Sequence, residues 1–296
     1  FDNYPHESLI NYEHPKILEH KGNPSISSCP LRNPCIYILE MQHHLFKYLW
    51  KNNFSTPITE QLQAGSMKVL EVGLASEIWT FDMANNYPLS TFIGLNNFAA
   101  CDDKSNNNNE PLNATVLRTH ASSIIPFPDE TFDFICQRFF LPQLITSLNE
   151  QSNLIKNMIR VLKPCGWVEF MIFDLRLYNS GPYTSRLTQA YDSYTNNGRE
   201  CSRIDEEQLY NMLISTQRIQ SIVIKDKHTL LGANGGRIGE LLCDVLVQPL
   251  KSHKSALSEY MGICIKEFDE MYIIMLQEIN DYKTSCISHR IYAKKC

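Results

Sequence analysis

The sequence predicts a doubly wound α/β fold, in which helices cover both faces of a seven-stranded, mostly parallel sheet. The first observation is that short apolar segments alternate with amphipathic helical segments from residue 68 onwards. The second is that these short segments are apolar on both faces, as strands are when helices cover both sides of a sheet. Two late strand segments that enclose helical segments complete the count of seven, with one edge of the sheet antiparallel.

The first strand, turn and helix are the clearest elements. The segment KVLEVG (68–73) is typical of a buried strand, and SEIWTFDMANNY of a helix that stops at Asn-Asn-Tyr-Pro. The next strands are predicted at STFIGL, ATVLRT, TFDFICQ and GWVEFMIF, and the amphipathic helix NEQSNLIKNMIRVLK precedes the last of them and ends at Pro164 and Gly166. This order is that of a parallel sheet with helical crossovers.

The second half of the chain is less regular. Two helices are expected within 183–217, the second opening at RIDEEQLYNML, followed by a strand at RIQSIVIKDK. Helices at GRIGELLCDVLVQPL and over 257–282 lead to a last strand at SCISHRIYAKK. We predict an irregular leader with a cap helix (36–54) over residues 1–60, and one domain over 61–296 with helical insertions around 176–217 and 236–283.

Length and composition exclude several classes of protein. The 296 residues are 43% hydrophobic and 20% charged, which suits a globular domain with a sizeable core. A net charge of −5 and a pI near 6.0 give no electrostatic case for nucleic acid binding. No apolar run approaches the ~20 residues of a membrane span. The ten cysteines contain no CxxC pair, which favours reduced thiols and a cytoplasmic protein, with the nucleus as the alternative.

The turn after the first strand marks the candidate site, because ligands of open parallel sheets bind beyond the carboxyl ends of strands where the strand order reverses. A dinucleotide fingerprint, G-x-G-x-x-G, fails here since the turn offers Gly73, Ala75 and Ile78. A second pattern, E-x-G-x-G-x-G, is met at Glu71 and Gly73 and departs at Ala75 and Glu77. The turn therefore favours the second pattern over that of a nicotinamide-dependent oxidoreductase.

Three further segments carry a resemblance to a known family. IIPFPDETFDFICQRF (124–139), IRVLKPCGWVEF (159–170) and STFIGL resemble class I S-adenosylmethionine (SAM)-dependent methyltransferases. The chain is most similar to the fungal methyltransferase-domain proteins related to secondary-metabolism regulators, whose leader helix and late GGRIGEL segment match at 42–50 and 231–241. The resemblance implies a Rossmann-like fold, SAM as cofactor and a small-molecule methyl acceptor.

The resemblance assigns a role to each residue around the first turn. Glu71 would orient the methionyl group of SAM, and Gly73 would let the backbone approach the cofactor closely. Ala75 stands where the family has Gly, and its methyl group is a mild obstruction that disfavours a positive φ. Glu77 replaces a further glycine at a helix N-terminus, where the dipole tolerates its charge but an inward carboxylate would crowd and repel that of SAM.

The ends of the next strands supply the remaining cofactor positions. Asn96 stands where the family has the acid that binds the ribose hydroxyls, so the stronger charge-assisted hydrogen bonds are lost. His120, followed by Ala121, stands near the expected adenine amino group, where a neutral imidazole nitrogen can accept a hydrogen bond. Gln137 and Arg138 match a Gln-Arg pair of the fungal group and would face the cofactor or substrate mouth.

Two hypotheses of function follow. The first is an active SAM-dependent methyltransferase that acts on a small molecule through a weakened cofactor site. The second is a methyltransferase-like protein that no longer catalyses and serves as a binding or regulatory partner. The departures from the family pattern that favour the second are Ala75, Glu77, Asn96, His120 and Cys165, the last replacing the first glycine of a structural KPGG turn. The direction of the Glu77 side chain discriminates between the two hypotheses. A side chain turned to solvent leaves the pocket open, whereas one turned inward fills the methionyl site.

No catalytic base stands out, and methyl transfer needs none in many members of the family. His43, His44 and His120 are candidates, but each is better explained structurally. His43 and His44 are predicted to be partly exposed or capping residues of the cap helix. No metal site is predicted.

Overall fold

A computed structural model describes residues 32–73, 76–96, 110–118, 124–138, 148–195 and 205–296. Its strands are β1 (Lys68–Gly73), β2 (Thr91–Asn96), β3 (Ala114–Arg118), β4 (Phe132–Arg138), β5 (Leu162–Tyr178), β6 (Ile219–Leu230) and β7 (Ser285–Lys295). They form one seven-stranded sheet in the order β3-β2-β1-β4-β5-β7-β6. Strands β1 to β5 are parallel, and β7 is antiparallel to both of its neighbours. The predicted fold class is confirmed, with the antiparallel strand one position in from the β6 edge.

The helices of the described residues are α1 (Arg32–Trp50), α2 (Thr59–Ala64), α3 (Ser76–Asn86), α4 (Leu148–Val161), α5 (Pro182–Thr195), α6 (Glu206–Ser215), α7 (Gly236–Ser252), α8 (Lys254–Met261) and α9 (Ile265–Asp281). None of them is long and apolar enough to cross a bilayer. The cysteines in the same part of the chain form no disulfide bonds, and Cys136, Cys243 and Cys286 are buried. The helices α5 to α9 provide the helical content predicted for the second half of the chain.

Both faces of the sheet are covered, as the apolar strands predict. Leu70 and Val72 of β1 point into a core shared with α4 and α6. Val69, on the opposite face of the same strand, packs in a second core with α2 and α3. A third core joins α1, α5, α7 and α9. Because β1 is buried on both sides, a polar residue within it must find its partners inside the protein.

Two predicted helix boundaries are wrong. The long helix expected over 257–282 is divided into α8 and α9 at Gly262, which caps α8 with a φ of +66°. That left-handed conformation ends helices and favours glycine. The helix expected to run to Pro164 ends at Val161, because the next residue, Leu162, already pairs with Phe132 of β4.

Candidate functional site

The centre of the candidate site is the carboxyl edge of β1, where the strand order reverses between β2 and β4. The register sets Gly73 opposite Asn96 on one side and opposite Arg138 on the other. A Cβ added to Gly73 would lie 3.1 Å from the Arg138 carbonyl oxygen, so a side chain there would require the neighbouring backbone to shift. This register places Gly73, Asn96 and Arg138 in one row at the carboxyl edge of the sheet.

Glu71 is buried behind this row, with 3% of its surface exposed. Its Oε2 accepts a hydrogen bond of 2.9 Å from the Thr80 hydroxyl of α3. Burial raises the pKa of Glu71 to about 8, against the opposing effects of the Arg138 charge and the Thr80 hydrogen bond. The negative charge of Glu77 raises it further. The Glu71 carboxyl is therefore largely protonated at neutral pH in the free protein.

Glu77, in the first turn of α3, is directed across the end of β2. The Asn96 side-chain amide donates a hydrogen bond of 3.2 Å to Glu77 Oε2. Asn96 is buried and Glu77 half-buried. The Glu77 side chain therefore points inward, towards the position that the sequence comparison assigns to ribose binding. Glu77 thus lies over the end of β2, and its effect on the methionyl position stays a prediction.

Arg138 connects this edge to α1 through His43. An Arg138 guanidinium nitrogen lies 2.8 Å from His43 Nδ1, and His43 Nε2 lies 3.1 Å from Asp82 Oδ2. A guanidinium only donates hydrogen bonds, so Nδ1 must accept and Nε2 must carry the proton that is donated to Asp82. Burial lowers the pKa of His43 to about 4, so the imidazole is neutral at neutral pH.

Asp82 of α3 ends this chain of polar groups. Lys47 Nζ lies 2.7 and 2.9 Å from its two carboxylate oxygens, and Asn53 donates a hydrogen bond of 2.8 Å to Oδ2. Burial alone would raise the pKa of Asp82, but the hydrogen bonds from His43, Lys47 and Asn53 outweigh it and hold the pKa well below its usual range. Asp82 is thus an ionised carboxylate that fixes α1 against α3.

The prediction for His43 is wrong, since only 2% of its surface is exposed. His44, in contrast, is exposed as expected. The sequence carried a signal for this arrangement: His43 and Lys47 stand four residues apart and share a helix face. Asp82 stands in the middle of an apolar helical segment, where a charged side chain needs partners. Their meeting depends on how α1 packs, which the spacing alone does not give.

The remaining predicted site residues are distributed as follows. Gln137 is buried in β4, opposite Val72 of β1. Ala75, His120 and Ala121 lie outside the described residues, and their roles stay predictions. Cys165 is exposed and has a φ of +61°, the left-handed conformation in which glycine is favoured. This conformation explains why related KPGG turns carry glycine at that position.

Residues 70–170, which run from β1 into β5, match the family described as a methyltransferase domain. The matched segment includes Glu71, Gly73, Glu77, Asn96 and Gln137, so the candidate site lies within it. The methyltransferase resemblance inferred from the sequence is supported, and its fungal relation stays a prediction.

Several solved methyltransferase structures resemble the chain at low identity. Phosphoethanolamine N-methyltransferase 2 of Haemonchus contortus, solved with phosphomonomethylethanolamine and S-adenosylhomocysteine, is 16% identical with a TM-score of 0.48, over 86% of this chain and 57% of that chain. A SAM-dependent methyltransferase of Methanosarcina mazei is 14% identical with a TM-score of 0.47, and the match covers 82% of this chain and 98% of that chain.

The YcgJ protein of Bacillus subtilis is 12% identical with a TM-score of 0.47, over 80% of this chain and 97% of that chain. With TM-scores below 0.5, these likenesses carry no information about activity. The chain spans little more than half of the Haemonchus enzyme's length. No curated protein matches the chain.

Proposed function

We propose that this protein transfers a methyl group from SAM to a small-molecule acceptor, and that its SAM site is weakened. The observation that carries the proposal is the methyltransferase-domain match over residues 70–170, within which Glu71 and Gly73 lie at the carboxyl edge of β1. Bound SAM supplies a methyl group on a sulfonium, which an acceptor takes by in-line displacement. The main requirement of that reaction is that the acceptor nucleophile be aligned with the methyl group. The lack of an evident catalytic base among the described residues therefore does not oppose the proposal.

The groups at this edge suit the chemistry of SAM. Glu71, Glu77 and Asn96 present acceptor oxygens, whereas SAM carries a cationic ammonium, a sulfonium and two ribose hydroxyls as partners. Gly73 keeps side-chain atoms away from the centre of the row. Gln137, His120 and Ala121 would border the adenine and acceptor ends.

The contact between Glu77 and Asn96 supports weakened binding. A ribose that accepted or donated hydrogen bonds at Asn96 would have to share that amide with Glu77. A Glu77 carboxylate beside the bound ligand would also repel the carboxylate of SAM. The loss of two or three hydrogen bonds of ~1 kcal/mol each lowers affinity by roughly ten- to hundredfold.

Glu71 gives the proposal a measurable proton signature. The free protein holds Glu71 largely protonated at neutral pH, because its pKa is raised to about 8 by burial. A cationic ligand group beside Glu71 would favour the carboxylate and lower this pKa. Binding of SAM near neutral pH is therefore expected to release a proton.

Calorimetric titration of the purified protein with SAM and S-adenosylhomocysteine tests both the weakened affinity and the release of a proton by Glu71. We expect weak binding, with a dissociation constant of about 0.1–1 mM. The heat should vary with the ionisation enthalpy of the buffer, and Glu71→Gln should remove that variation. Binding without a buffer-dependent heat would argue against Glu71 as the group that meets the cationic ligand.

A second candidate function is favoured by the inward Glu77. In this alternative the protein is catalytically inactive, and the methyltransferase domain serves as a binding or regulatory partner of another protein. The hydrogen bond from Asn96 holds Glu77 across the end of β2, where it would fill the space that a ligand needs. Absence of any heat at millimolar SAM, for the folded protein, would favour this alternative over the enzyme.

A further inference from the structure

We propose that Glu206, Asp226 and His289 bind a divalent metal ion where α6 meets β6 and β7. His289 Nδ1 lies 2.8 Å from Asp226 Oδ1 and 2.9 Å from Glu206 Oε2. One ligand atom from each residue lies within 4.8 Å of the others. None of the three belongs to the carboxyl edge of β1, so this proposal does not depend on methyl transfer.

Regular elements hold the three side chains together. The antiparallel register sets Asp226 of β6 directly opposite His289 of β7, and opposed residues of neighbouring strands project to the same face. Glu206 is the first residue of α6, whose start is fixed because Asp205 accepts a hydrogen bond of 2.8 Å from the Gln208 backbone. Ligands built on strands and on a capped helix are more precisely placed than ligands on loops.

The cationic side chains next to these residues in sequence lie on the other face of the sheet. Lys225 Nζ lies 5.3 Å from the centroid of the Tyr292 ring, and Lys227 Nζ lies 5.7 Å from that of Trp50. The Arg290 guanidinium lies 4.9 Å from the same Trp50 ring. These three cations therefore do not neutralise the two carboxylates that converge on the α6 side.

Hydrogen bonding within the cluster is incomplete. An imidazole nitrogen carries one proton or one lone pair, so His289 Nδ1 cannot serve two carboxylate oxygens equally. Asp226 Oδ1 takes the hydrogen-bonding position. Glu206 Oε2 is shielded from solvent and has no hydrogen-bond partner, although it lies 2.9 Å from the same nitrogen. A shielded carboxylate oxygen without a donor is unfavourable, and a cation at this point would remove the cost.

The separations fit ligands around one ion. For metal–ligand distances of about 2.0–2.2 Å, two ligands at right angles are about 3 Å apart. The observed separations of 2.8 and 2.9 Å need little adjustment. Glu206 and Asp226 are partly exposed, which leaves coordination positions for water. One imidazole and two carboxylates suit Mn²⁺ or Zn²⁺, and binding requires His289 Nδ1 to be free of its proton.

Titration with Mn²⁺ alone tests the proposal on the full, chelator-treated chain. Mn²⁺ is the better probe because the exposed thiols of Cys165, Cys264 and Cys296 prefer softer ions. Electron paramagnetic resonance of free Mn²⁺ should show one ion bound with a dissociation constant below about 100 µM. The melting temperature should rise with Mn²⁺ concentration, because the ion binds the native state.

Substitutions of the proposed ligands test whether they are the residues that bind Mn²⁺. Glu206→Gln and Asp226→Asn, both at partly exposed positions, should each weaken Mn²⁺ binding at least tenfold. Glu207→Gln removes the same charge at the next, exposed position of α6 and should leave binding unchanged. Circular dichroism without metal establishes that each variant is folded. Absence of Mn²⁺ binding by the native chain, or equal losses in Glu206→Gln and Glu207→Gln, would overturn the proposal.

Discussion

Two buried carboxyl groups, Glu71 and Glu169, lie in one row of the sheet, on either side of Cys136. Their surroundings differ. Glu169, 1% exposed, accepts hydrogen bonds from the backbone of Ser55 at 2.9 and 2.8 Å, and from the backbone and hydroxyl of Thr56 at 2.8 and 2.6 Å. Glu71 accepts hydrogen bonds from Thr80. A carboxylate saturated with donors anchors the fold, whereas one that is short of donors is available to a ligand.

The partners of Glu169 explain its anchoring role. Ser55 and Thr56 belong to the segment between α1 and α2, so Glu169 fastens that segment to β5. Arg290 of β7, equally buried, places its Nε 3.6 Å from Glu169 Oε1 and donates to the Asn52 carbonyl at 2.8 Å. The Glu169 carboxylate is therefore saturated with donors inside the protein, whereas Arg290 Nε, buried without a hydrogen-bond partner, faces it through charge alone.

The largest expected effect is on stability, from Glu169→Gln. The amide NH₂ of glutamine would face donors that now point at a carboxylate, and Arg290 would lose its nearby negative charge. We expect the free energy of unfolding at neutral pH to fall by about 3 kcal/mol. Urea unfolding measures this change in the free energy of unfolding. Glu71→Gln, the same change in the same row, is the matched control and should not lower the free energy of unfolding at neutral pH, because the amide has no charge for burial to penalise. Similar losses from both substitutions would break the comparison.

A second effect, spread over several pH units, is expected on the pH dependence of stability, from Glu71. Its pKa is about 8 in the folded protein and near 4.5 when unfolded. The stability that the protonated group contributes is thus present below pH 4.5 and is lost as pH rises to about 8, with a slope of up to about 1.4 kcal/mol per pH unit. Glu71→Gln should remove this decline.

Urea unfolding of the native chain and Glu71→Gln, compared between about pH 5 and pH 8, isolates the Glu71 contribution. His43 titrates in the opposite sense, because its pKa is lowered by burial to about 4 and stability is lost as pH falls from 6.5. That contribution is common to both proteins and cancels in the difference. Parallel profiles would mean that Glu71 is ionised in the folded protein.

A third prediction concerns ligand affinity at the edge that Glu71 supports. The combined variant Ala75→Gly, Glu77→Gly and Asn96→Asp should bind SAM at least about tenfold more tightly, or about 1.4 kcal/mol. It removes the inward carboxylate and supplies an acid at the end of β2. Calorimetry measures the gain. Glu267→Gly, the same change in the exposed first turn of α9, controls for helix destabilisation. A folded combined variant with unchanged affinity would mean that the pocket is closed elsewhere.

Much of the fold could be predicted because it depends on local pattern. β1 and β4 carry apolar residues on both faces, which predicts strands covered on both sides, and the position of Glu71 near the carboxyl end of β1 follows from the sequence of that strand. The break at Gly262 had a local signal as well, since a glycine inside a helical pattern is a candidate cap. The methyltransferase resemblance rested on segments of this local kind.

The contacts that decide the site could not be predicted because they join distant parts of the chain. His43 meets Asp82 across 39 residues and Arg138 across 95. The inward direction of Glu77 depends on the packing of α3 against β2. Glu169 stands in an apolar strand segment, where alternation alone does not reveal that Ser55 and Thr56 will supply its donors. Periodicity assigns a face to a residue but not its partner.

The smallest expected effect is at Cys165, in the turn before the Glu169 segment of β5. Its φ of +61° is unfavourable for a residue with a Cβ, and Cys165 is exposed, so the side chain contributes little packing in return. Cys165→Gly should therefore raise the free energy of unfolding by up to about 1 kcal/mol, less the greater entropy of glycine in the unfolded chain. Cys165→Ala keeps the Cβ and removes the thiol, so it should leave stability unchanged in the same urea experiment.

An equal gain in the free energy of unfolding from Cys165→Ala and from Cys165→Gly would assign the effect to the thiol. A gain from Gly alone would show that this turn keeps a strained residue which stability does not require, unlike Glu169 close by in the same strand.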